Sequence, residues 1–437
     1  MIKTVIMAGG KGTRIAQVRD DVPKPMIEIA GKPILEHQID CLKSCGIKDI
    51  ILVVGHLGHV IENYFGDGKK FEVNITYYFE DHPLGTAGAL LKMPQLTEDF
   101  LLLCGDVMLD VDFNRFIRFH KEHRAWASLM VHPNNHPYDS SIIVTETLPP
   151  EQNGGMPVET CRVVRWLNKE EPRKYLRNVV NAGIEIISPE LLEHVRKTLV
   201  PRHPESPDNV DLDRDVLKPN IGSRRIFAYH TPEYIKDMGT PDRLKEAEHD
   251  FITGRMSDRN LRNKQRAVFL DRDGTINVKK GFLVNYEEIE LIEGAAEAIR
   301  AINNSGYLAI IVTNQPQIAR GDCSFEQLQM IHNKLETELG NYGAFVDGIY
   351  YCPHHTDRGF EGERVEYKIN CDCRKPKPGL FYLAAKEFNV DLSQSFMIGD
   401  SNIDIQAGLS AGCKDCILIE TNAPLELRNA VNSILNL

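Results

Sequence analysis

The sequence predicts two α/β domains in tandem, each a mostly parallel sheet flanked by helices. Three observations predict this. The chain has 437 residues, too many for one ordinary core. In each half, apolar runs of strand length end on glycine or on an acid. Between the halves, residues 247–266 are polar and charge-rich, with some helical pattern and little apolar content. We place a first domain at 1–250, a linker at 251–265 and a second domain at 266–437.

Composition excludes several function classes. Apolar content of 42% and charged content of 26% fit a soluble globular protein. The net charge of −11, without a strongly basic block, argues against nucleic acid as a partner while leaving room for a local anion site. The opening MIKTVIMAGG lacks the long apolar region of a signal peptide, and no run approaches membrane-spanning length. A cytoplasmic protein with no membrane partner is expected. The ten cysteines then read as thiols, or as metal ligands where their spacing is tight.

The second half is organised around residues 269–277, FLDRDGTIN. The apolar run AVFL at 267–270 reads as a buried strand, and it stops at Asp271 and Asp273. On an extended backbone residues i and i+2 point the same way, so two carboxylates converge on one small volume. Their repulsion calls for a cation, and hard Mg²⁺ suits oxygen ligands. Three later segments follow in order: IIVTN ending in Thr313 and Asn314, the cationic Arg374-Lys375-Pro376, and FMIGD ending in Asp400, with Asp404 just beyond. Between them lie Cys352-Pro353-His354 and Cys371-Asp372-Cys373. These two close pairs suit a four-ligand, tetrahedral Zn²⁺ site with a structural role, in which His355 competes with His354.

The first half opens with a strand pattern at 2–7 leading into AGGKGTR. Gly9, Gly10 and Gly12 allow backbone N–H groups to approach phosphate, and Lys11 and Arg14 add charge. No G-K-[ST] closes a P-loop, and Ile15 occupies the third glycine of a dinucleotide fingerprint. Behind it come VPKP with Lys24 between prolines, LGTAGAL with Gly85 and Thr86, the strand-end Asp106, VNAG with Asn181 and Gly183, and DMGTP with Asp237.

From about 266 onward, the strand-end Asp pair, Thr, Lys and Asp resemble, in that order, the four motifs of the haloacid dehalogenase-like phosphatases. The resemblance implies a Rossmannoid domain in which Asp271 is the nucleophile and Asp273 the general acid–base. Thr313 and Lys375 would hold the phosphoryl oxygens. Mg²⁺ would sit on Asp271, Asp400 and the backbone carbonyl of Asp273, with Asp404 behind the ligands. The C-x-H…C-x-C loop, with the ligand set Cys352, His354, Cys371 and Cys373, is similar to that of the histidinol-phosphate and heptose bisphosphate phosphatases. NVKKGFLVN and TNQPQIAR resemble the D-glycero-D-manno-heptose 1,7-bisphosphate 7-phosphatases more. Carried over, Lys280, Gly281, Thr313, Asn314, Gln315, Arg374 and Lys375 would line the substrate site.

The motifs of the first half, over 2–247, resemble the sugar-1-phosphate nucleotidyltransferases, nearest to those that charge mannose or heptose 1-phosphate. This implies a Rossmann-like, glycosyltransferase A-like fold. Catalysis there is positioning plus electrostatic stabilisation. Gly9, Gly10, Lys11, Gly12, Thr13 and Arg14 would hold the triphosphate, with Arg14 on the leaving pyrophosphate. Lys24 would neutralise phosphate at the reacting centre, and Asp106 and Asp237 would hold Mg²⁺. Gly85 and Thr86 would meet base and ribose, and Asn181 and Gly183 the sugar. The family's Glu-Lys is here Asn168-Lys169, or in another register its Glu is Glu170.

The two resemblances imply consecutive steps: removal of the 7-phosphate, then nucleotidyl transfer from GTP to heptose 1-phosphate. Two other readings stand beside it. One is a mannose-1-phosphate guanylyltransferase fused to a histidinol-phosphatase-like enzyme. The other is a non-catalytic sugar-nucleotide sensor regulating the phosphatase.

Overall fold

The computed structural model describes residues 2–10, 22–148 and 158–436. Lys11, Gly12, Thr13 and Arg14 lie outside the described residues, so the expected triphosphate loop is described only through Gly9 and Gly10.

Among the described residues the first half builds a nine-stranded sheet. Lys3–Met7, Asp49–Val54, Asn74–Phe79 and Phe100–Cys104 form its parallel part. Alternation sets its two faces. Val5 packs with Leu102 and Leu129 on one side, whereas Ile6 packs with Leu101 and Leu103 on the other. The expectation of a mostly parallel sheet does not hold here. Four of the eight neighbouring strand pairs are antiparallel, where Val180–Ile187, Val158–Leu167 and Ile142–Leu148 enter. Of these antiparallel pairs, Ile142–Leu148 with Val158–Leu167 joins strands consecutive in the chain, and the other three join strands separated by further strands in sequence. A separate antiparallel ribbon pairs Val107–Asp110 with Tyr234–Asp237. It sets Asp237 opposite Val107, next to Asp106.

The second half is a five-stranded parallel sheet in the order Gly348–Cys352, Tyr307–Asn314, Arg266–Leu270, Phe396–Gly399, Asp415–Leu418. Val268 and Leu270 face one core, Ala267 and Phe269 the other, and all four are fully buried. The strand before Asp271 lies in the middle, and the chain continues to its two sides in turn. The carboxyl ends of the central strands are therefore the switch point at which such sheets bind ligands.

The segment expected as a linker makes side-chain contacts with both halves. After the helix Pro241–Ile252, Arg259 is buried. Its guanidinium donates to the Pro232 carbonyl at 3.2 Å, Asp347 at 2.8 Å and the Tyr307 carbonyl at 3.1 Å. Asn260 donates to Asp110 at 2.6 Å. These contacts are polar, which is why the segment has so little apolar content. Among the described residues no helix is long and apolar enough to cross a membrane.

Candidate active sites

In the second half the expected cluster assembles at the carboxyl edge of the sheet. Lys375, 3% exposed, reaches Asp271 at 2.8 Å, Asp404 at 2.5 Å and the Val312 carbonyl at 2.8 Å. Asp271, Asp400 and Asp404 each present a carboxylate oxygen within 4.8 Å of the others. Burial pushes Asp271 up to about 6 against the pull of Lys375. A divalent cation would reverse that shift. Among the described residues one buried oxygen of Asp400 has no partner, while the other accepts from Lys279 at 3.0 Å and Thr421 at 2.9 Å. An orphaned carboxylate oxygen beside two further acids fits Mg²⁺. Gly274, at φ +91°, makes room for it, because a Cβ there would collide with Asp400.

Asp273 is turned another way. Both of its oxygens accept from Arg272, and Gln315 at 2.9 Å and Asn277 at 3.0 Å add to these bonds. Burial pushes the carboxyl up, but Arg272 and these hydrogen bonds outweigh it and hold Asp273 below the usual range. Gln315 also donates to Thr313 at 2.9 Å, so Thr313, Gln315 and Asp273 form one network. Asn314 grips the Lys375 backbone through both ends of its amide, at 3.0 Å each. Of the two lysines in Lys279-Lys280, it is Lys279 that reaches the acid cluster; Lys280 pairs with Glu290 at 2.6 Å on the exposed surface. Gly281 has φ +94° and open space around it. Sequence reasoning missed Arg272, Asn277 and Lys279. Arg272 is the variable position within DxDGT and Asn277 lies two residues beyond it, and their direction depends on a turn that residue type does not specify.

The four expected zinc ligands converge. Cys352 lies 3.5 Å from Cys371 and 3.2 Å from Cys373, and Cys371 and Cys373 are 3.2 Å apart (sulfur to sulfur). His354 Nδ1 lies 3.6 Å from Cys352 and 3.3 Å from Cys373. A tetrahedron with Zn–S near 2.3 Å has edges of about 3.7 Å, so this donor set fits Zn²⁺. His355 is engaged with Asp357 instead. Arg374 donates to the His354 carbonyl at 3.0 Å, which ties the loop to the cations that follow it.

In the first half, Lys24 pairs with Asp106 and Arg243 with Asp237. The Met238 amide donates to the Asp106 carbonyl at 3.0 Å, so the two acids sit on adjoining backbone. Two carboxylates on one ribbon end, each balanced by a cation, are a donor set that Mg²⁺ and phosphate groups fit. Gly9 abuts Glu80 and Gly55, whereas a Cβ on Gly10 would meet nothing among the described residues. Gly85, at φ +74°, lies against the Val210 carbonyl, and Thr86 accepts from the Leu212 amide at 2.7 Å. That hydroxyl therefore builds the loop. Asn181 and Asp237 line a cavity of about 720 Å³ whose far wall includes Arg300, Asn303 and Phe345 of the second half. Gly183, at φ +68°, packs on Cys104. Asn168 closes a turn with the Glu171 amide at 3.0 Å, and Glu171 pairs with Lys218.

Glu185, two residues beyond Gly183, is 2% exposed. Burial, helped by the nearby Asp213, pushes its carboxyl up to about 8 from 4.5. The folded chain thus keeps a proton that the unfolded chain releases, and stability falls as pH rises from about 4.5 through about 8. Glu185→Gln is expected to reduce that fall without removing it, because burial raises Asp213 in the same direction. Urea midpoints measured at several pH values across this window check it. An unchanged slope would mean that Glu185 is ionised in the fold.

Residues 3–253 match the nucleotidyl transferase family, and residues 198–412 match the haloacid dehalogenase-like hydrolases. The matches overlap over 198–253, which the structure places in the nine-stranded sheet, the ribbon and the helix after them. The chain is 44% identical over 161 residues to a Pasteurella multocida D-glycero-beta-D-manno-heptose-1,7-bisphosphate 7-phosphatase, covering 37% of this chain and 85% of that protein. A Photorhabdus laumondii protein of the same description is 42% identical over 172 residues, covering 39% and 89%. Among solved structures, HddC from Yersinia pseudotuberculosis complexed with GMP-PN aligns with 57% of this chain and 100% of its own, at 22% identity and a TM-score of 0.44. The chain thus belongs to the nucleotidyl transferases through its first half and to the haloacid dehalogenase-like hydrolases, beside the heptose bisphosphate phosphatases, through its second.

Proposed function

We propose that the chain performs two consecutive steps toward a nucleotide-activated heptose. The second half hydrolyses the 7-phosphate of D-glycero-D-manno-heptose 1,7-bisphosphate. The first half joins the resulting heptose 1-phosphate to GMP from GTP and releases pyrophosphate. The observation that carries this reading is the buried Asp271–Lys375–Asp404 cluster with Asp400 beside it, in a segment similar to most of the length of heptose bisphosphate phosphatases.

In the phosphatase step an Asp271 oxygen attacks phosphorus and the bond to the sugar oxygen breaks. Asp273 gives that oxygen its proton and later takes one from the attacking water. Arg272 holds Asp273 ionised in the free site, so the arriving phosphate dianion must raise its pKa before it can act as an acid. Lys375 and Thr313 hold the phosphoryl oxygens in this reading, and Asn314 fixes Lys375. Asp271, Asp400 and the Asp273 carbonyl would hold Mg²⁺, which when bound supplies neutralising charge at the phosphoryl group. In the transferase step the 1-phosphate oxygen attacks the α-phosphorus, and Lys24 offsets the charge there. Asp106 and Asp237 would hold Mg²⁺, and Asn181 would orient the sugar.

The test is a coupled reaction. Full-length protein with Mg²⁺, the bisphosphate and GTP or ATP in parallel should release both phosphate and pyrophosphate, with GTP preferred. Asp106→Asn should keep phosphate release and lose pyrophosphate by at least about 100-fold. Phosphate without pyrophosphate from the unaltered chain would remove the transferase half of the reading. Neither product would remove the heptose assignment.

A further inference from the structure

The phosphatase half does more than share a chain with the transferase half; one of its helices lies against the loops around Asn181. The helix Phe325–Asn341 is capped by a Ser324–Gln327 box and buries Leu328, Ile331 and Leu335 in the phosphatase core. Another side of it faces the transferase. Asn333 donates to the Tyr175 carbonyl at 3.4 Å, and Lys334 reaches the Tyr175 hydroxyl at 3.1 Å. The Tyr138 hydroxyl donates to the Thr337 carbonyl at 2.7 Å and to Asn341 at 2.9 Å. Gly340 sits so close to Pro137 that a Cβ would come within 3.2 Å of its ring.

At the centre of this seam is Glu336, 6% exposed. Among the described residues it has no ion-pair partner within 4.0 Å. Its carboxylate accepts from the backbone N–H of Asn178 at 3.0 Å. Burial pushes this carboxyl up and the nearby Arg177 charge offsets part of that cost, while the direct hydrogen bond it makes, to Asn178, gives it a local role. The contacts beyond Asn178 define that role. Asn178 and Asn134 bond reciprocally, at 2.6 Å and 3.2 Å. Asn134 donates to Ser140 at 3.3 Å, and the next residue's carbonyl, that of Ser141, accepts from the Asn181 amide at 3.2 Å. Asn134, Ser140 and Asn181 all line the 720 Å³ cavity, as does Asp237. A connected run of hydrogen bonds therefore leads from a phosphatase helix to the wall of the transferase cavity.

We propose that Glu336 is a positioning residue for the transferase: acting through Asn178 and Asn134, it sets the pocket that receives the sugar 1-phosphate. This rests on the transferase reading above. The phosphatase core contributes to the acceptor site without touching the acceptor, and nucleotide binding at the glycine-rich loop does not depend on it.

The experiment uses the full chain, with D-glycero-D-manno-heptose 1-phosphate and GTP as substrates. Glu336→Ala should raise the KM for the sugar phosphate about 10-fold, leave the KM for GTP within twofold, and leave phosphatase kcat/KM unchanged. Glu336→Gln retains an oxygen acceptor and should restore the KM. Hydrogen exchange gives a readout independent of turnover: amides of 178–181 should exchange faster in Glu336→Ala and as in the parent in Glu336→Gln. Should Glu336→Ala not fold, Tyr138→Phe loosens the same seam by deleting one hydroxyl, and a smaller rise in the same KM is expected. Unchanged exchange and unchanged KM would overturn the proposal, as would equal rises for both substrates. If the parent chain makes no pyrophosphate, the transferase reading fails, and the exchange comparison still decides whether Glu336 orders these loops.

Discussion

Asp271→Asn should abolish phosphate release, by at least about 1,000-fold in kcat/KM, because an amide cannot form the acyl phosphate. The fold should survive the change. Asparagine nearly matches aspartate in volume, and Lys375 keeps Asp404 at 2.5 Å and the Val312 carbonyl at 2.8 Å. The backbone N–H of residue 271, bonded to the Ile398 carbonyl at 3.0 Å, is untouched. Transferase activity on preformed heptose 1-phosphate should therefore stay within twofold, while the bisphosphate yields no nucleotide sugar. Both substrates are assayed on one preparation, so misfolding cannot mimic the result. Residual phosphate release above about a hundredth of the parent's would assign the nucleophile elsewhere.

Much of this was legible in the sequence because the chemistry constrains residue type at strand ends. An apolar run can end on two acids, a threonine or an acid in few ways that serve a core, so Asp271, Thr313 and Asp400 stood out. Lys375 stood out with them, and the structure brings it within hydrogen-bond reach of Asp271. The zinc loop was legible because four soft or borderline ligands in two tight pairs have few other uses. Side-chain direction was less legible. Lys279 and Lys280 differ by one position, and the turn after Asn277 decides which of them meets Asp400. Asn314 has a strand-end polar signature, but its amide holds a backbone rather than facing outward. The sheet of the first half was misjudged as mostly parallel because apolar runs do not record strand direction.

Contacts between the halves were illegible for another reason. Glu336 and Asn178 are 158 residues apart, and neither belongs to a motif. A buried carboxylate on an amphipathic helix reads as a surface residue until its docking partner is known. Within the linker, Arg259 makes three bonds that join the ribbon side of the first half to the strands of the second. Buried polar groups of a segment can join two domains through bonds such as these.

Losing the zinc loop should disable the phosphatase nearly as thoroughly as losing its nucleophile, through position rather than chemistry. Cys373 immediately precedes Arg374 and Lys375, and Lys375 is the cation at Asp271. The loop is also fastened at its start, where the Cys352 carbonyl accepts from the Gln315 amide at 2.7 Å, and Gln315 holds Asp273 and Thr313. Unfolding the loop would therefore release the lysine and the acid–base network together. Cys373→Ala removes one of the four expected ligands and leaves water to fill the fourth position, so the variant should lose zinc at a chelator concentration that the parent withstands. Phosphatase kcat/KM should drop by about 100-fold or more, since binding of the expected zinc would also be folding energy for the loop. Transferase turnover should be retained, because the helix Phe325–Asn341 that meets the first half is anchored in a core that excludes the loop's cysteines. Metal content by emission spectrometry, with Mg²⁺ held in excess, separates this effect from loss of the catalytic cation. Full phosphatase activity in a zinc-free variant would show that Asn314 and the contacts of Lys375 with Asp271, Asp404 and the Val312 carbonyl suffice to place it.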